Sequence, residues 1–289
     1  MIETTIIEKK FSDKIFENKI GTFFDESYYD IIINNDHDCY FIDNMGNMKI
    51  LFKIRKKVVK PKMHILMREI FEKYAKKQSN QRAKAAGGER ILKNNVTRSN
   101  IMASSSIVGY YDRAKMPDRK YFKTNVVCRK TSFTRDNVDS WNKSISFFKL
   151  IAGYYKKLAP LHYKMQQYYI RSSPYKIDST PFTTVTTNYN WRTACHKDKG
   201  DYSDGMGNLV VLGENFGGCY LGFPQFKIAI NTEPGDLVIM NVHEWHCNTE
   251  LILYDNSSVR LSFVCYMRRD MALCNKKIII GGEEMYYKV

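Results

Sequence analysis

The stretch EPGDLVIMNVHEWHCNTEL, residues 233–251, combines a turn, a short apolar run and two histidines. Pro234 and Gly235 are typical turn residues, and the apolar run after them has the length and bounds of a buried strand. This strand delivers His243 and His246 at or just beyond its end. The sequence HEWH is one residue short of the His-Glu-x-x-His motif and follows a strand, so a zinc-protease helix is not expected.

A second polar pair, His196 and Asp198, lies just after the apparent strand TTVTTNYNW at residues 183–191. Two histidines and one carboxylate form the facial triad of non-haem Fe(II) oxygenases, which leaves coordination positions open for a cosubstrate and O2. His243 and His246 are three residues apart, so their side chains cannot point the same way along a strand. We therefore expect only one of the two to complete the triad, and the spacing alone does not say which. A His-x-Asp by itself is more readily a hydrogen-bonded pair in a surface loop than a metal site.

Arg260 stands near the start of the apolar segment NSSVRLSFVCYMRR, residues 256–269. Alternation along a strand places Arg260 and Ser262 on one face and Leu261 and Phe263 on the other. A charged side chain on a buried face needs an anionic partner, and the planar guanidinium binds both oxygens of a carboxylate. That carboxylate belongs either to a cosubstrate or to an acidic neighbour.

Short apolar runs with turn residues between them fill the chain after Pro174. They predict strands over 183–191, 208–213, 217–223, 226–231, 236–241, 248–253 and 259–267. Residues 28–62 also read as short strands, whereas helical periodicity begins at Pro61 and returns over 137–158, with a further helical piece to about residue 170. We therefore predict a mainly β, α+β fold whose sandwich or barrel is braced by upstream helices.

The net charge and the cysteine content limit the classes of function that we expect. The 289 residues carry a formal net charge of +15, which favours a polyanionic partner such as nucleic acid, although a lysine-rich chain can simply be soluble. The seven cysteines include no Cys-x-x-Cys pair and are expected mostly as small buried hydrophobes in a reducing compartment. Without an apolar run of membrane-spanning length or a leader pattern, we expect an intracellular protein with no membrane association, its compartment left open.

Two basic segments are candidates for contact with a polyanion. Residues 53–62 are rich in lysine and arginine, and their partial alternation predicts the solvent face of a strand. Residues 76–93 are polar and basic and contain Gly87–Gly88, which predicts a mobile loop, either a lid or an ordinary connector.

The sequence resembles the 2-oxoglutarate/Fe(II) dioxygenases, mainly over residues 180–270. The features that carry the resemblance are, in chain order, His196-x-Asp198, Pro234–Gly235–Asp236, a distal histidine and Arg260. Within that superfamily, the chain is similar to the TET/JBP group in five segments: NYNWRTACHKDKGD, GDLVIMNVHEWHCNT, RLSFVCYMR, SSSIVGYYDR and CRKTSFTRDN. The segment YFIDNMGNMKILFKIRKKVV resembles the N-terminal strands of that group. The resemblance implies one domain over 1–289, with N-terminal strands and support helices over 1–175 and a double-stranded β-helix (jelly-roll) core over 176–281.

The resemblance also implies the chemistry: hydroxylation of the 5-methyl group of thymine or 5-methylcytosine in nucleic acid, with DNA favoured over RNA. The distal ligand of the family follows the strand end and precedes a small residue, which favours His246. Fe(II) would then be bound by His196, Asp198 and His246, and 2-oxoglutarate by Arg260 and Ser262, with O2 as cosubstrate and ascorbate as the reductant in an assay. The substrate-binding candidates, for which core packing is the alternative, are Asn188, Tyr189, His243 and Trp245.

Two alternatives stay open: a hydroxylase of a protein side chain or small molecule on the same core, and a non-catalytic nucleic-acid-binding module. The sequence leaves the base, the extent of oxidation, the sequence context and the oligomeric state undetermined.

Overall fold

The computed structural model describes residues 2–80, 82–93, 96–112, 127–280 and 283–288. Strands of the first part of the chain are β1 (Glu3–Ile7), β2 (Ile31–Ile33), β3 (His37–Ile42), β4 (Met48–Arg55), β5 (Arg90–Lys93), β6 (Val96–Ser99), β7 (Ser105–Tyr111) and β8 (Val127–Lys130). Later strands are β9 (Thr184–Tyr189), β10 (Gly207–Glu214), β11 (Phe216–Gly218), β12 (Leu221–Phe223), β13 (Ile228–Ile230), β14 (Leu237–Met240), β15 (Cys247–Asn248), β16 (Leu251–Leu253), β17 (Val259–Tyr266), β18 (Cys274–Ile280) and β19 (Glu283–Lys288).

Three of the α-helices lie between β8 and β9, one lies between β4 and β5, and one short helix lies near the N-terminus. They are α1 (Asp13–Glu17), α2 (Pro61–Ala75), α3 (Ser132–Asp136), α4 (Val138–Leu158) and α5 (Pro160–Tyr169). Pro61 and Pro160 each stand at the first position of a helix, where a missing N–H costs nothing. The helices predicted from Pro61 and over 137–158 are confirmed, and so is the mainly β fold class.

The chain divides into two compact units, each built from separated segments. The first consists of Met1–Ser106, Thr187–Asp198 and Leu209–Phe263, and the second of Ile107–Thr186, Lys199–Asn208 and Val264–Val289. These segments interleave along the chain. The predicted division into N-terminal strands and support helices over 1–175 and a core over 176–281 stays a prediction. The single domain over 1–289 stays a prediction.

The first unit is a sandwich of two sheets. The larger sheet has the order β1-β3-β4-β14-β10, continued by the parts of β17, β9 and β7 that belong to this unit, and the smaller has the order β15-β12-β13-β2. Phe52 of β4 stacks on Phe223 of β12, with ring centroids 5.7 Å apart, so apolar side chains of the two sheets form the core. Helix α2 braces the larger sheet through Phe71, whose ring lies 5.3 Å from that of Phe263.

The Pro234–Gly235 turn joins β13 to β14 at the residues expected from the sequence. Gly235 adopts φ +94°, a left-handed conformation that favours glycine. Its N–H donates to the carbonyl of Val211, and Asp236 next to it accepts from the backbone N–H of Glu233. The turn therefore fixes where β14 begins, and β14 leads to the two histidines.

The second unit contains α3, α4 and α5 and a sheet of order β9-β7-β8-β19-β18, counting the parts of β9 and β7 that fall in it. Tyr155 of α4 is fully buried and its hydroxyl donates to Gln166 Oε1. Cys128 and Cys274 form a disulfide in this unit. The other cysteines are free and buried, as expected from the sequence.

The prediction of a loop over 76–93 was wrong in part. Residues 83–86 form a 3-10 helix and residues 90–93 form β5, which pairs with β6. Gly87 ends the 3-10 helix at φ 73°. The sequence cue was the polar composition, which does not distinguish a two-stranded ribbon from a loop.

Among the described residues, no helix is both long and apolar enough to cross a bilayer.

Candidate metal centre

His196 and His246 lie directly opposite each other across an antiparallel backbone bridge. The N–H of His196 donates to the carbonyl of His246 at 3.1 Å, and the N–H of His246 donates back to His196 at 3.0 Å. Residues paired in this way present their side chains on the same face. The imidazole centroids are accordingly 4.3 Å apart, although the two residues are far apart in sequence.

Asp198 completes the group from two residues beyond His196. Its backbone N–H donates to the carbonyl of Val242 at 3.0 Å, which holds the loop against the end of β14. Asp198 Oδ1 lies 3.6 Å from His196 Nε2, and Oδ2 lies 3.8 Å from His246 Nε2. One divalent ion at about 2 Å from each ligand atom fits these separations. The side chain of Asp198 is 35% exposed, so the group is open on one side.

Backbone carbonyls set the tautomer of both histidines. His196 Nδ1 is 2.8 Å from the carbonyl of Ala194, and His246 Nδ1 is 2.9 Å from that of Glu244. A carbonyl only accepts, so each Nδ1 carries the hydrogen and each Nε2 keeps a lone pair toward Asp198. Burial, and next the proximity of the His196 ring, hold the pKa of His246 below its ordinary 6.5, against the opposing effect of the Asp198 carboxylate. Neutral imidazoles with free Nε2 atoms are metal ligands.

Arg260 is a buried cation in the same unit. It stands at the second position of β17, is 2% exposed, and its Nε has no hydrogen-bond partner among the described residues. No described carboxylate forms an ion pair with the guanidinium of Arg260, and the centroid of the Phe216 ring lies 6.0 Å from its Cζ. Burying a guanidinium without an anion is costly. The site therefore suits a ligand that brings its own carboxylate.

Asn190 positions the backbone of Arg260, and sequence reasoning missed it. The Asn190 Oδ1 accepts from the N–H of Arg260 at 2.6 Å, and its Nδ2 donates to the carbonyl of Ser258. Asn190 has φ +42°, a conformation that asparagine tolerates better than most residues. An asparagine just after a predicted strand was the available signal.

Ser262 and Asn188, predicted for cosubstrate and substrate, are bonded to each other. Asn188 Nδ2 donates to Ser262 Oγ at 3.2 Å, and Asn188 Oδ1 accepts from Ser105 Oγ at 2.7 Å. Arg82 Nε donates to the same Ser105 hydroxyl, also at 2.7 Å. This chain of hydrogen bonds leads from β17 to the segment after α2. The ligand-binding roles of Ser262 and Asn188 stay predictions.

The remaining candidates lie in different surroundings. His243 is half-buried and is not part of the His196–Asp198–His246 group, whose ligand atoms all lie within 4.8 Å of one another. Tyr189 is half-buried, with Lys76 Nζ 4.9 Å from its ring centroid. Trp245 is 3% exposed and packs in a cluster with Phe16. This packing favours a structural role for Trp245, and the substrate-binding roles of all three stay predictions.

A jelly-roll-like sandwich that holds two histidines, a carboxylate and an unpaired buried arginine defines a class, the non-haem iron oxygenases that use a 2-oxo acid. Residues 106–269, more than half of the chain, match the family Tet_JBP, described as the oxygenase domain of the 2OGFeDO superfamily. The chain belongs to this family. Membership confirms the predicted cofactor set of Fe(II), 2-oxoglutarate and O2, and the donor atoms of the triad fit an iron ion.

Two relatives in sequence agree with this assignment. The chain is 37% identical over 186 residues to the bifunctional helicase and thymine dioxygenase JBP2 of Leishmania braziliensis, covering 62% of this chain and 16% of that protein. It is 36% identical over 178 residues to the thymine dioxygenase JBP1-A of Trypanosoma cruzi strain CL Brener, covering 59% and 20%. The chain thus spans a fifth or less of these relatives.

The fold is similar to that of a solved structure of NgTET1 in complex with 5mC DNA. The TM-score is 0.52 at 13% identity, and the match covers 91% of this chain and 93% of that chain. At this identity the likeness shows the fold.

Proposed function

We propose that this protein hydroxylates the 5-methyl group of a pyrimidine base, thymine or 5-methylcytosine, in DNA. The observation that carries the proposal is the convergence of the ligand atoms of His196, Asp198 and His246 within 4.8 Å of one another. The same unit buries Arg260, whose Nε has no hydrogen-bond partner among the described residues. The matched relatives are thymine dioxygenases by name, and the solved structure of similar fold was determined with 5mC DNA. These names support a methylated pyrimidine as the substrate.

Each residue of the proposed site has a defined task. His196 Nε2, His246 Nε2 and one oxygen of Asp198 would hold Fe(II), and the Nδ1 hydrogen bonds keep both rings in the ligating tautomer. Arg260 would receive the distal carboxylate of 2-oxoglutarate. When bound, Fe(II), 2-oxoglutarate and O2 supply the oxidising chemistry that hydroxylates a C–H bond. The low exposure of Arg260 keeps water from competing for that carboxylate.

A base in a duplex cannot reach such a centre, so the target base must be flipped out or presented in a single strand. Backbone contact with DNA requires cations that are free. Lys57 and Lys60 are exposed, whereas Lys53, Arg55 and Lys56 of the same basic segment are ion-paired to Asp38 and Asp236. The DNA contact proposed for residues 53–62 is therefore narrowed to its C-terminal lysines.

Nucleoside mass spectrometry tests the proposal. The protein is incubated with Fe(II), ascorbate, 2-oxoglutarate and oligonucleotides that contain thymine or 5-methylcytosine, as duplexes and as single strands. Matched oligonucleotides with uracil or cytosine at the same position lack the methyl group, and the His196→Ala variant lacks a ligand. We expect a hydroxymethyl nucleoside that requires both the methyl group and His196.

Two other outcomes would contradict the proposal. Succinate released without any modified nucleoside would retain the metal centre and reject DNA bases as the substrate, which favours a protein or small-molecule hydroxylase. No release of succinate, together with retained DNA binding, would point to a non-catalytic binding module.

A further inference from the structure

The N-terminal segment, residues 9–24, contacts both loops that carry the triad. This segment contains α1 and lies outside the residues that match the family. The N–H of Gly21 donates to the carbonyl of Cys195 at 2.9 Å, and the N–H of Cys195 donates to the carbonyl of Thr22 at 2.8 Å. The segment is thus paired by backbone hydrogen bonds to the residue before His196.

Asp13 joins the two triad loops through one carboxylate oxygen. Its Oδ1 accepts from Lys197 Nζ at 2.7 Å and from Trp245 Nε1 at 2.9 Å. Lys197 lies between His196 and Asp198, and Trp245 directly precedes His246. One atom therefore fixes the spacing of the residues that neighbour all three ligands.

A second charged contact reinforces the first. Lys9 Nζ lies 2.8 Å from Glu244 Oε2 and 3.7 Å from Asp13 Oδ2. The carbonyl of Glu244 accepts the hydrogen bond from His246 Nδ1. Lys9 and Asp13 thus hold the backbone that selects the tautomer of His246.

Apolar packing also stabilises the contact between residues 9–24 and the loops that carry the triad. Phe16 of α1 is 2% exposed and packs with Cys195, Trp245 and Cys247. Each of these three residues is adjacent in sequence to a triad histidine. Lys197 Nζ also lies 5.1 Å from the centroid of the Trp245 ring. Rotation of either ligand loop would disturb this cluster.

We propose that Asp13 is a positioning residue of the metal centre, which clamps the His196–Asp198 loop to the loop before His246 and so sets the affinity of the triad for its divalent ion. The inference rests on the proposed metal site. Neighbours that orient ligands affect metal affinity although they do not touch the ion. Asp13 therefore acts through Lys197 and Trp245.

The test is equilibrium dialysis of Mn²⁺ against the metal-free 289-residue chain and its variants. We expect Asp13→Ala to weaken Mn²⁺ binding on the order of tenfold, as ligand-orienting neighbours do elsewhere. Glu17→Ala, an exposed acidic residue on the same helix, should stay within about twofold of wild type, the range for a substitution without a shared partner. Asp13→Glu should recover part of the affinity, because it restores the charge facing Lys197.

A double variant separates the clamp from a general loss of stability. If Asp13 acts through Lys197, Asp13→Ala combined with Lys197→Ala should bind Mn²⁺ no more weakly than the weaker single variant. Thermal unfolding of each metal-free variant reports stability independently. The proposed clamp is contradicted if Asp13→Ala binds Mn²⁺ as tightly as Glu17→Ala. It is also contradicted if the fold-loss of Mn²⁺ affinity in the double variant equals the product of the losses in Asp13→Ala and Lys197→Ala.

His196→Ala distinguishes the two proposals. If it loses Mn²⁺ binding while Asp13→Ala does not, the metal site stands and the clamp fails. If His196→Ala binds Mn²⁺ as tightly as wild type, the metal site and the clamp both fail.

Discussion

Cations that are wholly or partly shielded from solvent in two parts of the first unit have opposite surroundings. On β4, Lys53 and Arg55 lie 2.7 and 2.8 Å from the oxygens of Asp38, and the following Lys56 lies 2.6 Å from Asp236. On β17, Arg260 is more deeply buried, yet its Nε has no partner among the described residues. A cation that serves the fold brings its counter-ion with it, because an unpaired buried charge lowers stability. This contrast is the reason for our proposal that Arg260 binds a carboxylate that arrives with a ligand.

The largest effect on stability is expected at the paired cations. Asp236 is 1% exposed, and burial raises its pKa, so it depends on Lys56 and on the N–H groups of Lys57 and Glu233 to stay charged. We expect Asp236→Asn to lower the free energy of unfolding by about 3 kcal/mol, because it leaves Lys56 without its closest counter-charge. Urea denaturation followed by circular dichroism measures the change. A loss no larger than that of an exposed control, Glu17→Gln, would contradict the structural role of this pair.

Asp38 should make stability depend on acid pH. Partial burial raises the pKa of Asp38, but hydrogen bonds and charges of Lys53 and Arg55 outweigh it and hold the pKa below the ordinary 3.8. A carboxyl whose pKa is lower in the folded state stabilises the fold above its unfolded pKa, and that contribution is lost as the pH falls through the folded value.

We therefore expect Asp38→Asn to lower the free energy of unfolding by about 1 kcal/mol at pH 7. The loss should be smaller at pH 3, which lies below the ordinary pKa of 3.8 that the carboxyl has in the unfolded chain. Denaturant titrations across this range check the dependence. An equal loss at both pH values would show that the carboxylate charge is not what matters.

Substitution of Arg260 should not lower the free energy of unfolding, in contrast to substitution of Asp236. Arg260→Met keeps most of the side-chain volume and removes a charge without a described partner, so we expect the free energy of unfolding to stay the same or to rise by up to about 1 kcal/mol. The same denaturation experiment measures it. A loss comparable to that of Asp236→Asn would reveal a structural counter-ion for Arg260 and remove the contrast.

The smallest effects are expected at the free lysines next to β4. Lys57 and Lys60 are exposed, so Lys57→Ala and Lys60→Ala should leave stability unchanged and weaken DNA binding uniformly across sequences. Each substitution should reduce the slope of log affinity against log salt by about one. Fluorescence anisotropy at several salt concentrations measures the slope. Unchanged slopes would place the DNA contact elsewhere.

The sequence predicted the parts of this molecule that depend on local patterns. The turn at Pro234–Gly235, the helix from Pro61 and the strand of Arg260 follow from residue type and spacing, and all were confirmed. The partners of Lys53 and Lys56 were not predictable, because the acids that pair with them come from other strands. The alternation along residues 53–62 suggested a free basic face, whereas the fold uses half of it internally.

Contacts between residues that are remote in sequence also explain what was missed around the candidate site. His196 and Asp198 were candidates because the triad chemistry requires those residue types, and the resemblance to the family favoured His246 over His243 as the third ligand. Asp13 carries no motif and is remote in sequence from both loops it contacts. Its role depends on a tertiary contact, so only the structure reveals it.

The measurement that tests the central claim most directly is calorimetric titration of 2-oxoglutarate into the Mn²⁺-loaded protein. Wild type and Arg260→Met are compared, with His196→Ala as a variant without the complete triad. We expect wild type to bind 2-oxoglutarate and Arg260→Met to bind it on the order of 100-fold more weakly, since a desolvated carboxylate would lose its guanidinium partner. Equal affinity in wild type and Arg260→Met would show that the unpaired cation of β17 does not serve this ligand, and would contradict the account.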